Sequence, residues 1–78
     1  MSTLETAHSI TLAREDGSEL TIEMIVGNNR FYVNRVSTAD KTGYGERFDH
    51  QSDCAQEFYA QIGEAIVLDG YRVKEVMK

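Results

Sequence analysis

Seventy-eight residues carry thirteen Asp and Glu against eight Lys and Arg, a formal net charge of −5, with one cysteine and no proline or tryptophan. A chain this short makes one domain rather than two, because folding hides only about 60% of the surface exposed by its unfolded form. The acidic balance disfavours phosphate backbones and anionic membranes as partners and suits a basic protein surface.

A lone cysteine excludes an internal disulfide, and no charged-then-apolar opening reads as a signal peptide or membrane span. The expected compartment is therefore the reducing cytoplasm. Residues 1–7 read as a flexible N-terminal segment ahead of a single α+β domain at 8–78.

From His8 the chain alternates as a half-buried strand, with Ile10 and Leu12 on one face and Ser9, Thr11 and Ala13 on the other. Glu15-Asp16-Gly17 signals a turn, after which Leu20, Ile22, Met24 and Val26 continue an apolar face opposite Glu19, Thr21 and Glu23. A two-residue loop would pair Leu12 with Thr21, which conflicts with both apolar patterns. A three-residue loop with Gly17 in the left-handed bulge position resolves this, pairing Leu12 with Leu20 and Ile10 with Ile22.

Asn28-Asn29 supplies two residues that tolerate positive φ, as a type I′ hairpin turn between Gly27 and Arg30 requires. Its register sets Val26 opposite Phe31 and Met24 opposite Val33 on the core face, with Ile25 against Tyr32 outside. Strand three runs to about Val36, residues 37–43 make a polar connection, and residues 44–49 read as a short fourth strand with Tyr44 and Phe48 sharing a face.

Ser52 is placed to cap a helix, with Asp53 in the first turn and Ala55, Phe58, Ile62, Ala65 and Ile66 at helical spacing. Gly70 sits where the helix should stop, and residues 71–74 alternate as a final strand. The expected fold is an α+β antiparallel four-stranded β-meander with one helix packed on one face and a short C-terminal strand, ββββαβ.

Catalytic chemistry is sparsely supplied. His50 and Cys54 lie four residues apart, and Cys54 falls in the first helical turn, where unpaired N–H groups favour a thiolate. No orienting third group accompanies them, and Cys54 can equally pack as a small apolar residue beside Phe58 or join an intermolecular disulfide. His50, Asp53 and Cys54 match no standard zinc spacing, and Gly43-Tyr44-Gly45 leads into a strand instead of the helix N-terminus that cradles phosphate. Asp49 and Asp53 read first as helix-dipole complements. The expectation is a binding protein with no catalytic residues, no metal and no cofactor.

Charge placement is more informative. Residues 49–69 hold five acids and no Lys or Arg, while residues 30–48 and 70–78 are each slightly basic. At about 100° per residue, Asp53, Glu57 and Glu64 fall within roughly 40° of one another, opposite Ile62, as an acidic stripe on the solvent face. The positions four residues after these acids are Glu57, Gln61 and Leu68, so the helix forgoes the usual acid-to-base pairing. The stripe is either an ordinary solvated face or a patch that docks on a basic groove. Ile25, Tyr32 and Val36 give a second candidate surface, on the outer sheet face, for an interface or a homodimer.

The short acidic chain, the strand meander, Arg47-Phe48-Asp49, the capped helix and its Phe58-Tyr59 pair together resemble the small phage-encoded anti-CRISPR inhibitors of type I Cascade complexes. The resemblance covers residues 8–78 in size, layout and charge and contains no signature motif. It implies a stoichiometric inhibitor in a bacterial cytoplasm whose carboxylates occupy a Lys/Arg-lined surface of a Cascade subunit and keep target DNA away. Asp53, Glu57 and Glu64 would then stand in for phosphates, flanked by Glu46, Asp49 and Asp69. Tyr44-Gly45-Glu46-Arg47, followed by the helix and Gly70-Tyr71, also resembles a degenerate WGR domain, a nucleic-acid-associated module. The chain departs from that pattern in lacking the tryptophan, displacing the arginine by one position and carrying the wrong net charge for phosphate contact.

Overall fold

A computed structural model describes residues 5–27, 29–38 and 42–77, with the side chains of Glu5, Thr42, Tyr44 and Met77 left aside. Asn28, residues 1–4, 39–41 and 78, and the face taken by the Tyr44 side chain lie outside the described part. The elements run β1 (Glu5–Ala13), β2 (Glu19–Gly27), β3 (Arg30–Ser37), β4 (Thr42–Phe48), α1 (Gln51–Leu68) and β5 (Arg72–Met77). The strands form one antiparallel sheet in the order β4-β3-β2-β1-β5, with α1 laid across β2, β3 and β4 on one face.

Turn chemistry sets both hairpin registers. In the first, the Gly17 N–H donates to the Arg14 carbonyl at 3.0 Å, the Arg14 N–H donates to the Ser18 carbonyl at 3.0 Å, and Gly17 holds a φ of 89°. This three-residue loop pairs Leu12 with Leu20 and Ile10 with Ile22, so the apolar faces of β1 and β2 coincide. The Asp16 carboxylate accepts from the Ser18 amide at 2.9 Å and the Ser18 hydroxyl at 2.6 Å. These hydrogen bonds hold its carboxyl below the usual Asp range. In the second hairpin Asn29 has a φ of 54°, and Met24 faces Val33 while Ile25 faces Tyr32.

Strand β1 begins at Glu5, three residues before the expected start, and passes an irregularity between Thr6 and His8. The early residues do not alternate cleanly because that shift interrupts the pleat. Strand β5 pairs with β1 and forms a sheet edge, with a second irregularity opposite Thr11 and Leu12.

Leu12, Leu20, Ile22, Val33 and Cys54 are fully buried, and Met24, Phe58, Ala65 and Tyr71 complete most of the core. Removing this apolar surface from water is the main favourable contribution to folding. The face of the sheet away from α1 has no second layer among the described residues.

Candidate functional site

The helix is fixed by its core line. Cys54, Phe58, Gln61 and Ala65 are buried, at spacings of four, three and four residues, and face the sheet. Ile62 is only partly buried and lies to one side of that line. His50, with extended backbone at φ −126° and ψ 138°, is the N-cap, and its carbonyl accepts from the Cys54 N–H at 3.1 Å. Ser52 therefore lies inside the first turn and does not cap; no side chain supplies the cap hydrogen bond. At the other end Gly70 takes the expected positive φ, 77°, and the Ala65 carbonyl accepts from both Asp69 and Tyr71 N–H.

This core line places the acidic stripe. Asp53, Glu57 and Glu64 lie about 100° round the helix from the buried line, along one flank and not on the crest. Ile62 and Tyr59 occupy the opposite flank, beside β1 and β5, so the acids overhang the β3–β4 side of the sheet. Asp53 and Glu64 are exposed and Glu57 is half-buried. The Gln61 Nε2 donates to Glu57 Oε2 at 2.9 Å and steadies that carboxylate, while the buried Gln61 Oε1 has no partner among the described residues. At 1.5 Å rise per residue, Asp53 and Glu57 stand about 6 Å apart along the axis and Glu57 and Glu64 about 10 Å. None of the three forms an ion pair among the described residues.

The flanking acids differ. Asp49 pairs with the exposed Arg47 at 4.0 Å and Asp69 with the half-buried Arg35 at 3.9 Å, so each of these carboxylates is locally compensated by a long, weak ion pair. Glu46 lies on β4 opposite Val33, half-buried and on the ridge side of the sheet.

On the outer sheet face Ile25 and Tyr32 face each other and are half-buried, while Val36 is 50% exposed between Thr21 and Gly43. Glu23, Asn34 and Arg47 interleave with them, which makes a mixed polar face. Larger apolar exposure lies elsewhere: Val67 is 79% and Tyr59 62% exposed on α1, and Val76 is 61% exposed on β5. Beside Tyr59 a cleft of about 210 Å³ opens between α1 and β1/β5, walled by His8, Ile10, Phe58, Ile62 and Val76. Ile62, the core direction expected from helical spacing, instead lines this cleft. The i, i+4, i+7, i+11 line through Cys54, Phe58, Gln61 and Ala65 was the signal that locates it.

Catalytic geometry is poor at the residues singled out for it. Cys54 is fully buried, and burial pushes its thiol pKa up, the opposite of thiolate activation. His50 is exposed, no metal-binding group of acids, His and Cys occurs among the described residues, and Gly43-Tyr44-Gly45 lies within β4. A wider cleft of about 540 Å³ between the first hairpin and Gly70 includes Arg14 and Arg72. Arg14 is already committed there: its Nε donates to Ser18 Oγ at 2.9 Å and its guanidinium lies 4.6 Å from the Tyr71 ring centroid. Among the described residues, no helix is long and apolar enough to cross a membrane. No protein family, curated protein or solved structure matches this chain.

Proposed function

We propose that this chain is a non-enzymatic binding protein that uses the acidic ridge of α1 to occupy a basic, nucleic-acid-handling surface on a protein partner. The observation that carries the reading is the ridge itself: Asp53, Glu57 and Glu64 on one flank of a helix with no Lys or Arg, none ion-paired among the described residues. A surface helix ordinarily gains stability from acid–base pairs four residues apart. This one leaves Asp53 and Glu64 exposed to cations from outside, with Glu57 half-buried between them and held by Gln61, at spacings suited to a row of Lys and Arg side chains. The burial of Cys54 supports the non-enzymatic part of the proposal.

The specific form of the proposal is inhibition in the manner of anti-CRISPR proteins in a phage-infected cell. The ridge, with Glu46 and the ion-paired Asp49 and Asp69 beside it, docks on a Cascade subunit and blocks target DNA. The alternative, a WGR-like nucleic-acid module, is less well supported by the arginines. Arg47 lies opposite Tyr32 on the outer face, Arg35 reaches Asp69 at the helix end, and Arg30 stands at a hairpin turn, so they form no common phosphate track.

The test is target-DNA retention by a type I Cascade complex, measured with and without the chain. The wild-type chain should reduce retention stoichiometrically, and Glu57→Lys/Glu64→Lys should remove the effect. Unchanged retention with the wild-type chain rejects the Cascade proposal. Direct retention of the chain on DNA or RNA at low salt would favour the nucleic-acid module instead.

A further inference from the structure

The crest of α1, directly opposite its buried line, carries no charge. Gln56, Ala60, Gly63 and Val67 occupy it, all exposed to solvent, with Val67 79% exposed. A solvated helix crest ordinarily holds charged side chains. Gly63 weakens the helix relative to alanine, and, its chain neighbours and the helix's own backbone aside, nothing among the described residues lies within 4 Å of where its Cβ would be. The fold therefore supplies no packing reason for glycine at this position. With Ala60 one turn earlier, it leaves a shallow seat in which a second helix can approach closely, toward the 8 Å end of helix packing distances.

The two borders of this seat differ in chemistry. One is the acidic ridge of Asp53, Glu57 and Glu64. The other is apolar: Ile66 is 39% exposed, and Tyr59, 62% exposed, borders the cleft walled by Ile62, Ile10 and Val76. A neutral, small-residue floor between an acidic edge and an apolar edge is complementary to one kind of element.

We infer that the crest of α1 seats a basic amphipathic helix of the partner, antiparallel or parallel to α1. Its apolar ridge lies over Ala60 and Gly63, its Lys and Arg lie along the acidic edge, and one of its apolar side chains enters the cleft beside Tyr59. The inference rests on the carboxylate reading proposed above and deepens it: the basic surface engaged is helical. A second copy of this chain fits less well, because its own α1 offers acids where the seat requires bases.

The probe is a synthetic amphipathic helical peptide about as long as α1, with a Leu/Ala ridge and Lys along one edge, followed by fluorescence anisotropy at low salt. A control peptide carries Glu in place of each Lys. The wild-type chain should bind the basic peptide and not the control. Gly63→Phe should weaken binding by about tenfold or more, since its ring fills the seat while open space at this position leaves the fold intact; thermal melting checks the fold. Gly63→Ala should bind nearly as wild type.

Absence of binding by the wild-type chain overturns the inference. If Glu57→Lys/Glu64→Lys abolishes binding but Gly63→Phe does not, the carboxylate reading survives and the helix seat falls. If only Gly63→Phe matters, both the basic partner and the carboxylate reading fall. A sedimentation-detected dimer abolished by Gly63→Phe would overturn the inference in favour of self-association.

Discussion

At the scale of single residues, Cys54 shows how position overrides type. Its place in the first turn of a helix is compatible with a reactive thiolate or with a small apolar residue packed in the core, and its side chain is fully buried beneath α1, as the second reading expects. Because burial raises the folded-state pKa above the ordinary 9.0, the unfolded thiol ionises first as pH rises. The stability it contributes is complete below about pH 9 and is lost as pH climbs through the folded pKa. Denaturation midpoints followed from pH 7 to 10 should therefore fall above 9 in the wild type and less steeply in Cys54→Ala. A disulfide-exchange reagent at neutral pH should modify Cys54 only as fast as the domain opens, and rapid labelling of the native protein would contradict its burial. Gly70 makes a second residue-scale prediction. With φ at 77°, Gly70→Ala should cost about 1–2 kcal/mol in chemical denaturation.

At the scale of elements, the hairpins were legible and the helix boundary was not. Both strand registers followed from a parity argument, since one residue of slip would turn Leu12 or Met24 to the wrong face. The helix start was misplaced because Ser52 and Asp53 both look like caps by type, whereas the backbone turns at His50, whose side chain makes no cap hydrogen bond. His50→Asp should supply the missing acceptor and a favourable dipole interaction. It should raise stability by about 0.5–1 kcal/mol in urea denaturation; a loss of stability would show that the cap is already satisfied in another way. Strand β5 was hard to place because the irregularity opposite Thr11 and Leu12 breaks strict alternation, leaving Val73 and Val76 three residues apart with Lys74 and Glu75 between them. Lys74 instead contacts the Glu19 carboxylate, which raises its pKa and tethers the edge strand to β2.

At the scale of the whole molecule, the fold separates two jobs. The sheet and the buried line of α1 make one core, and the remaining surface of α1 is free to differ from flank to flank. Sequence reading found the acids of that surface, because charge type survives without a structure. It missed the apolar cleft and the uncharged crest, because both depend on which residue marks the core direction, and Gln61 rather than Ile62 holds that place. The six acids expected to act together resolve into a ridge of Asp53, Glu57 and Glu64, two end acids held by Arg47 and Arg35, and Glu46 on β4. The central claim is that the ridge engages a basic partner electrostatically. Its most direct measurement is the affinity of the chain for a purified type I Cascade complex, titrated by calorimetry at about 0.05 M and 0.3 M salt, a range over which the screening length falls more than twofold. Affinity should drop by tenfold or more with salt, and a Glu57→Lys/Glu64→Lys variant should bind weakly at both. Equal affinity of wild type and variant, with no salt dependence, would contradict the claim.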